Sequence, residues 1–152
     1  MRNTLRAGFT LVEILIVVVI LGILAAIVVP QFTNASNEAV KGALESQLQT
    51  INSQVELYRV RNNGAAPTLA AGEANDGWGD MVGGEYLKEI PINGYTGSGA
   101  VDAGTEADAL AGTRDTAQGW VFDSTTNSIF AMAFDASNGL LAHEDGFGGA
   151  GN

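Results

Sequence analysis

The hydrophobic and polar positions divide the chain into three parts. Residues 9–29 form an almost unbroken apolar block, in which 16 of 21 residues are Phe, Leu, Ile or Val. At a rise of about 1.5 Å per residue, a helix of this length matches the roughly 30 Å core of a bilayer. The pattern therefore predicts a membrane-spanning helix, with Glu13 as an acidic residue near its start.

The second part, residues 30–62, has the period of an amphipathic helix. Lys41 lies among the polar residues on one side, and Glu38 precedes it at the spacing of a weak surface ion pair. Apolar residues recur every three or four positions on the other side and form one stripe: Val40, Leu44, Leu48, Ile51, Val55 and Tyr58. This stripe predicts a helix that packs against its own domain.

The two helical patterns are continuous, so we expect one helix from about Phe9 to Arg61. Pro30 lacks a backbone donor and crowds the carbonyl four residues earlier, which predicts a kink or local melting near Ala26. The pair Asn63–Gly64 predicts the end of the helix, because both residues tolerate the left-handed conformation.

The third part, residues 63–152, is predicted to be a small globular head. Two apolar runs on either side of a four-residue polar turn are typical of a β-hairpin. The expected fold class is α+β, in which the long N-terminal helix packs on a small antiparallel β-sheet. The predicted parts of the head are a short helix at Asp80–Lys88, an irregular loop at Ser98–Gln118, hairpin strands at Gly119–Asp123 and Ser128–Phe134, and a third strand at Leu140–His143.

Charge and composition argue against several functional classes for this chain. From Asn63 onward there are 13 Asp and Glu against two basic residues, and such an acidic surface argues against nucleic-acid binding. There is no cysteine, which excludes disulfides, thiolate metal sites and a cysteine nucleophile. His143 is the only histidine, and no hydrolase, phosphate-loop or dinucleotide motif occurs. The sequence therefore gives no support for an enzyme.

The apolar block has three interpretations. Arg2 and Arg6 precede it, so the positive-inside rule predicts a cytoplasmic N-terminus with the acidic bulk across the membrane. A cleaved secretory signal would use Ala25–Ala26, but the apolar run continues through Val29 and exceeds the usual length of about 7–15 residues. A plain single-pass anchor explains the length of the block but not Glu13.

The third interpretation follows from the stretch GFTLVE, residues 8–13, which resembles the processing signature of type IV prepilins and the related pseudopilins. The shared features are a short basic leader, Gly8, Phe9, a Glu at the fifth mature position and an apolar run that ends at Pro30. The stretches "YLKEIPINGYTG" and "GWVFDSTTNSIFA" are similar to the C-terminal halves of type II secretion pseudopilins. The resemblance implies that residues 1–8 are a cleaved leader, with cleavage between Gly8 and Phe9 and N-methylation of Phe9.

The same resemblance implies a structural role. The protein would be a filament subunit, most closely a pseudopilin of type II secretion, anchored in the bacterial inner membrane with its head in the periplasm. Implied partners are further copies of the chain, minor pseudopilins or pilins, the prepilin peptidase and methyltransferase, and the inner-membrane assembly platform. Glu13 would pair with the free amine of Phe9 in a neighbouring subunit, which a shift of about 6 Å, one helical turn, would bring close. The alternatives are a Glu13 carboxyl that is simply protonated in the membrane, or one that reaches the membrane interface. An adhesion or motility pilin and a membrane-anchored binding module stay open as alternatives.

A calcium site in the C-terminal loop is a further property that the resemblance implies. Asp135, Asn138, Glu144 and Asp145 offer the oxygen ligands that calcium prefers and lie close together in the sequence. Their spacing matches no defined calcium loop, so a solvated acidic turn is the alternative interpretation.

Overall fold

The computed structural model of the chain describes residues 8–113 and 116–149. It divides into two compact units, Met1–Asn37 and Glu38–Asn152, which are considered separately below. Arg2, Arg6 and nearly all of the predicted leader lie outside the described residues. The predicted boundaries at residues 8, 29 and 62 therefore stay predictions.

The long helix, α1, extends over Leu11–Arg61 and confirms the continuous helix predicted from the two patterns. It ends as expected, because Asn63 and Gly64 both adopt positive φ angles, of 54° and 87°. The Asn62 side-chain amide also donates to the Tyr58 carbonyl at 2.8 Å, which satisfies one of the last carbonyls of the helix.

Pro30 lies inside α1 without interrupting it. The local melting predicted near Ala26 is therefore wrong, whereas the predicted kink stays a prediction. A proline removes only one backbone hydrogen bond, and a helix in an apolar surrounding keeps its other bonds because no water is available to replace them. The Thr33 hydroxyl reinforces this turn by donating to the Val29 carbonyl at 3.2 Å.

The core of the second unit is formed around the stripe of α1. Leu44 and Val55 are fully buried, and Ile51 is nearly so. They belong to one cluster with residues of the head, whose largest fully buried members are Trp78, Met81, Val101, Trp120, Ile129 and Leu141. The predicted packing of the helix on its own domain is confirmed.

The head contains short elements arranged in two small sheets. The first sheet contains, in this order, β1 (Val101–Ala103), β2 (Trp120–Asp123) and β3 (Ser128–Ala131). The second sheet pairs β4 (Phe134–Asp135) with β5 (Leu140–Leu141). Strands β2 and β3 are antiparallel, with Trp120 opposite Ala131, which confirms the predicted hairpin. The elements are α2 Gly79–Gly83, β1 Val101–Ala103, α3 Glu106–Leu110, β2 Trp120–Asp123, β3 Ser128–Ala131, β4 Phe134–Asp135, β5 Leu140–Leu141 and a 3₁₀ turn at Phe147–Gly149.

The head differs from the sequence prediction in four details. The stretch 98–118 is not an irregular loop, since it contains β1 and α3. Because β1 pairs with β2 in parallel, the larger sheet is mixed rather than wholly antiparallel. The positive φ of Ala133, 61°, separates β3 from β4, so the predicted strand Ser128–Phe134 is two strands, and the predicted third strand pairs with the second of them. The short helix α2 ends at Gly83, and Glu85 soon after has a φ of 62°, which is not helical.

A buried asparagine joins three segments of the head. Asn93 is fully buried, and its Nδ2 donates to the carbonyls of Gly119 at 2.8 Å and Met132 at 3.0 Å. Its Oδ1 accepts the backbone N–H groups of Tyr95 at 2.8 Å and Thr96 at 3.2 Å. One side chain therefore fixes the turn that follows it, the start of β2 and the end of the hairpin.

A second asparagine connects α1 with the hairpin. Asn52 Oδ1 accepts the Ile129 N–H at 2.7 Å, and its Nδ2 donates to the Ile129 carbonyl at 3.2 Å. The Asn52 side chain thus bonds to both the N–H and the carbonyl of Ile129, as the backbone of a neighbouring strand would. The register of β3 on the helix is therefore set by a polar contact as well as by apolar packing.

Candidate functional site

The N-terminus of α1 carries the acidic residue singled out in the sequence. Thr10 occupies the capping position, and its hydroxyl accepts the Glu13 N–H at 3.2 Å. The Glu13 carboxylate reaches back, and its Oε2 accepts the Thr10 N–H at 2.8 Å and the Thr10 hydroxyl at 2.9 Å. This reciprocal arrangement is a capping box, which satisfies backbone donors that the first turn of a helix leaves without partners.

The capping box determines how the carboxylate is held. Both hydrogen bonds end on Oε2, and among the described residues no hydrogen bond to Oε1 is formed. Glu13 is thus fixed at the positive end of the helix dipole, where a negative charge is favoured. One carboxylate oxygen remains available to a donor from another molecule.

Gly8 and Phe9 precede the helix and have no regular secondary structure. The Phe9 side chain is 84% exposed, and a Cβ added at Gly8 would meet nothing within 4 Å. The peptide bond between the two residues is therefore sterically open in the described part of the chain. An accessible, irregular segment is what a peptidase requires of its substrate.

The apolar block that follows is long and apolar enough to cross a membrane, by length and composition. None of its residues is buried within the described structure, and its Leu, Ile and Val side chains are between 41% and 81% exposed. An apolar helix segment that is not buried within the described structure needs an apolar surrounding, either lipid or other helices.

The residues proposed for calcium are placed in two separate arrangements. Asp135 Oδ1 accepts the backbone N–H groups of Ser137 at 2.9 Å and Asn138 at 3.2 Å, and Asp135 Oδ2 accepts the side-chain amide of Asn138 at 2.8 Å. Burial acts to raise the pKa of Asp135, but these donors outweigh it and hold the pKa below its ordinary value. The carboxylate closes its own turn, and Asn138 presents a donor to it.

Glu144 is held by two other groups. Its Oε1 pairs with the Lys41 ammonium at 2.7 Å, and its Oε2 accepts the Leu141 N–H at 2.8 Å. Burial acts to raise the pKa of Glu144, but the Leu141 N–H and the Lys41 ammonium lower it overall. The same contact with Glu144, and then that with Glu38, raises the pKa of Lys41.

In this arrangement, the Asp135 and Glu144 carboxylates already bond to groups of the chain. Among the described residues, no three acidic or histidine side chains lie together in a way that could hold a metal, so Asp135, Glu144 and Asp145 form no such group. The Lys41 ammonium occupies the side of Glu144 that a cation would use. The calcium site stays a prediction from resemblance, and no role is assigned through it.

Sequence reasoning missed three residues of these sites. Thr10 was detectable, because Thr-x-x-Glu before an apolar run is the capping-box pattern. Lys41 was placed among the exposed polar residues, yet its side chain is only 12% exposed. The burial of Lys41 and the hydrogen bonds of Asn93 depend on segments that are distant in the sequence. No local pattern therefore reveals them.

Comparison with known proteins agrees with this geometry. The family model described as the prokaryotic N-terminal methylation motif matches residues 3–29. An exposed apolar N-terminal helix with this motif, followed by a small α+β head, defines the class of pilin-like membrane-anchored proteins. The chain is 39% identical over 100 residues to the type II secretion system core protein G of Pseudomonas aeruginosa, which covers 61% of this chain and 70% of that protein. The chain belongs to the type IV prepilin and type II secretion pseudopilin family.

Two other relatives show the breadth of the similarity. The chain is 36% identical over 72 residues to core protein G of Klebsiella michiganensis, which covers 47% of this chain and 50% of that protein. It is 34% identical over 92 residues to the type IV major pilin protein PilE of Neisseria gonorrhoeae, which covers 59% of this chain and 53% of the pilin. The chain thus spans about half the length of these two relatives. No solved structure matches it significantly.

Proposed function

We propose that this protein is the structural subunit of a pilus-like filament, of the pseudopilin kind that operates in type II secretion. The observation that carries the proposal is a capped carboxylate, Glu13, at the start of an apolar helix segment that has no buried residue within the described structure. Such a helix is suited to lateral packing with copies of itself. The similarity to core protein G over 61% of this chain supports the pseudopilin kind.

The proposed maturation begins with removal of residues 1–8. A prepilin peptidase cleaves between Gly8 and Phe9, and the new amine of Phe9 is methylated. The match of residues 3–29 to the methylation motif and the exposure of Phe9 support this step. Residues 9–29 then form the membrane anchor and later the filament core, residues 30–62 the stem, and residues 63–152 the head.

The proposed location is the bacterial inner membrane, with the acidic head in the periplasm. The positive-inside rule supports this orientation, because Arg2 and Arg6 flank the N-terminal side of the anchor. The proposed partners are further copies of the chain, minor pseudopilins, the prepilin peptidase and methyltransferase, and the inner-membrane assembly platform. The role is mechanical, and no step of it requires a catalytic residue of this chain.

Assembly is proposed to use Glu13, Phe9 and Pro30. The Phe9 amine of one subunit approaches the Oε1 atom of Glu13 in a neighbour, so that an ion pair forms where an unpaired charge would be costly. Pro30 leaves the Ala26 carbonyl without an N–H donor from the chain, which allows the helix to adapt its course as subunits pack.

The mature N-terminus tests the maturation step. Mass spectrometry of the chain purified from membranes is expected to show a protein that begins at N-methylated Phe9. A chain that begins after Ala26 would instead identify a secretory signal. A chain that keeps residues 1–8 in the presence of an active peptidase would indicate a simple anchor.

The assembly step is tested by Glu13→Val, with Glu38→Gln as the matched control on the same helix. Glu13→Val is expected to leave the amount of protein in the membrane unchanged and to reduce filaments on the order of tenfold or more, since one partner of an ion pair is lost. Glu38→Gln removes an exposed carboxylate and should assemble normally. Normal assembly of Glu13→Val would refute the proposed pairing.

The second candidate is a type IV pilin for adhesion or motility, which the similarity to the gonococcal major pilin supports. Electron microscopy and a secretion assay on a deletion strain separate the two. Loss of secreted enzymes, with short fibres seen only on overexpression, is expected for the pseudopilin. Long surface fibres with normal secretion would identify the pilin, and a protein that never polymerises would be a membrane-anchored binding module.

A further inference from the structure

The C-terminal segment of the head is tied to α1 by a partly buried ion pair. The Lys41 ammonium lies 2.7 Å from Glu144 Oε1, and the two side chains are only 12% and 23% exposed. Lys41 also contacts Glu38 at 3.0 Å, but that carboxylate side chain is 72% exposed. The contact with Glu144 therefore differs from an ordinary surface pair, because little solvent separates or screens the two charges.

We propose that the Lys41 ammonium supplies, from within the chain, the positive charge that a bound cation would otherwise bring to this loop. The C-terminal segment accordingly closes without calcium. This departs from the property that the family resemblance implies for the major pseudopilins, and it concerns the head alone, independently of filament assembly.

The first support is that both oxygens of Glu144 are already used. Oε1 contacts Lys41, and Oε2 accepts the Leu141 N–H, which closes a turn of the segment onto itself. A divalent cation bound at this carboxylate would lie beside an ammonium group of the same sign, and like charges at such a distance repel strongly. Lys41 and a calcium ion are therefore alternatives at the same place.

The second support comes from the other candidate ligands. The Asp135 carboxylate accepts hydrogen bonds from Ser137 and Asn138 of its own turn, and the backbone N–H of Gly148 also lowers its pKa. The Asn138 side chain donates through Nδ2 to Asp135 Oδ2. Within the described ranges, Asp135, Glu144 and Asp145 form no group that could hold a metal. The Asp135 and Glu144 carboxylates are thus satisfied by donors of the chain.

A third contact closes the same segment. His143 Nδ1 and the Tyr95 hydroxyl are hydrogen-bonded at 3.0 Å, and their rings stack with centroids 5.7 Å apart. Leu141 and His143, which both precede Glu144, are therefore fixed to different parts of the head. One ammonium group from α1 completes a closure that needs no further ligand.

The first experiment measures the thermal unfolding of the full chain in detergent micelles, with millimolar calcium or with EGTA. Trp78 and Trp120 are the only tryptophans and are both fully buried, so their fluorescence reports the head. The proposal expects the same midpoint in both solutions. A midpoint that rises in calcium and falls in EGTA would overturn it.

The second experiment compares Lys41→Met with Arg59→Met, which removes the cation of a local pair within α1. Lys41→Met is expected to lower the midpoint by several degrees, Lys41→Arg to restore most of it, and Arg59→Met to change it little. The double variant of Lys41→Met and Glu144→Gln should be no less stable than Lys41→Met alone, because Lys41→Met has already broken the ion pair between the two residues. A Lys41→Met midpoint equal to that of Arg59→Met would refute the proposal.

If Lys41→Met does not fold, a second variant still tests the proposal. Glu144→Gln keeps the size of the side chain and the acceptor for Leu141, and it is expected to lower the midpoint while leaving it insensitive to calcium. A Glu144→Gln midpoint equal to that of the unmodified chain would overturn the proposal as well.

Discussion

Asn93 provides the sharpest test of how the head is held together. Asn93→Ala removes a fully buried side chain that makes four hydrogen bonds to backbone groups. The Gly119 carbonyl keeps a second bond, from the Met132 N–H at 2.9 Å, and Thr96 is close enough to solvent for water to replace its partner. The largest losses therefore fall on the Met132 carbonyl and the Tyr95 N–H.

The magnitude follows from these contacts. A buried backbone group that loses its partner costs about 1–3 kcal/mol, and a bond that water replaces costs about 0.5–1.5 kcal/mol. Two groups of the first kind and two of the second place the loss for Asn93→Ala at about 3–9 kcal/mol. This is a large part of the roughly 5–15 kcal/mol by which folded domains are stable.

Urea unfolding in detergent micelles, followed by tryptophan fluorescence, measures this loss directly. Gln49→Ala is the matched control, because it removes an exposed amide from α1 and should change the free energy of unfolding by less than about 0.5 kcal/mol. A change of the same small size for Asn93→Ala would refute the reasoning.

Asn93→Asp separates hydrogen bonding from volume. The substitution keeps the size and the accepting oxygen, but it replaces a donor with an oxygen that faces two carbonyls. We expect a loss at neutral pH at least as large as that of Asn93→Ala, and a smaller loss in acid, where a protonated carboxyl can donate once. An unchanged stability at neutral pH would show that packing alone determines this position.

Three further predictions use the same unfolding assay. Asn52→Ala should cost about 1–3 kcal/mol, because both backbone groups of Ile129 lose a bond; a loss below about 0.5 kcal/mol would mean that apolar packing alone sets the hairpin on α1. Gly42→Ala should stabilise the helix by up to about 1 kcal/mol, since a Cβ there meets nothing within 4 Å; destabilisation would reveal a contact at this position. Four carboxyls of the head have pKa values held below their ordinary range, so their stabilisation is present above about pH 4 and is lost as the pH falls through the folded pKa; an unfolding midpoint that does not change on acidification below about pH 4 would contradict it. The carboxyls are Asp108, Asp123, Asp135 and Glu144.

Sequence patterns predicted the parts of the fold that depend on many residues of one period. The stripe of α1 and the hairpin around Asn127 each repeat an apolar position several times, so local order alone indicates them. Strand β1 has three residues, of which only Val101 is buried, and it gains its partner from β2. A strand of that length has too few positions to show a period. The helix α3, in contrast, is indicated in the sequence by the capping box of Thr105 and Asp108.

The residues of the candidate site also differ in whether the local sequence reveals them. Glu13 stood out because a charge within an apolar run conflicts with its surroundings, and local sequence is enough to show the conflict. Lys41 showed no such conflict, since its neighbours in the helix are polar on that side. Its partner Glu144 comes from the other end of the chain, so the burial of Lys41 follows from tertiary folding and not from the period of α1.

The contact between Asn52 and Ile129 also fixes an order of events during synthesis. The two residues are 77 positions apart, so the ribosome completes the helix well before it delivers the strand that covers it. At about 5–20 residues per second, the delay is roughly 4–15 s. Throughout that interval the apolar side of residues 44–55 has no head to cover it. A factor that holds nascent chains would therefore act on this stretch, and only before the hairpin has emerged.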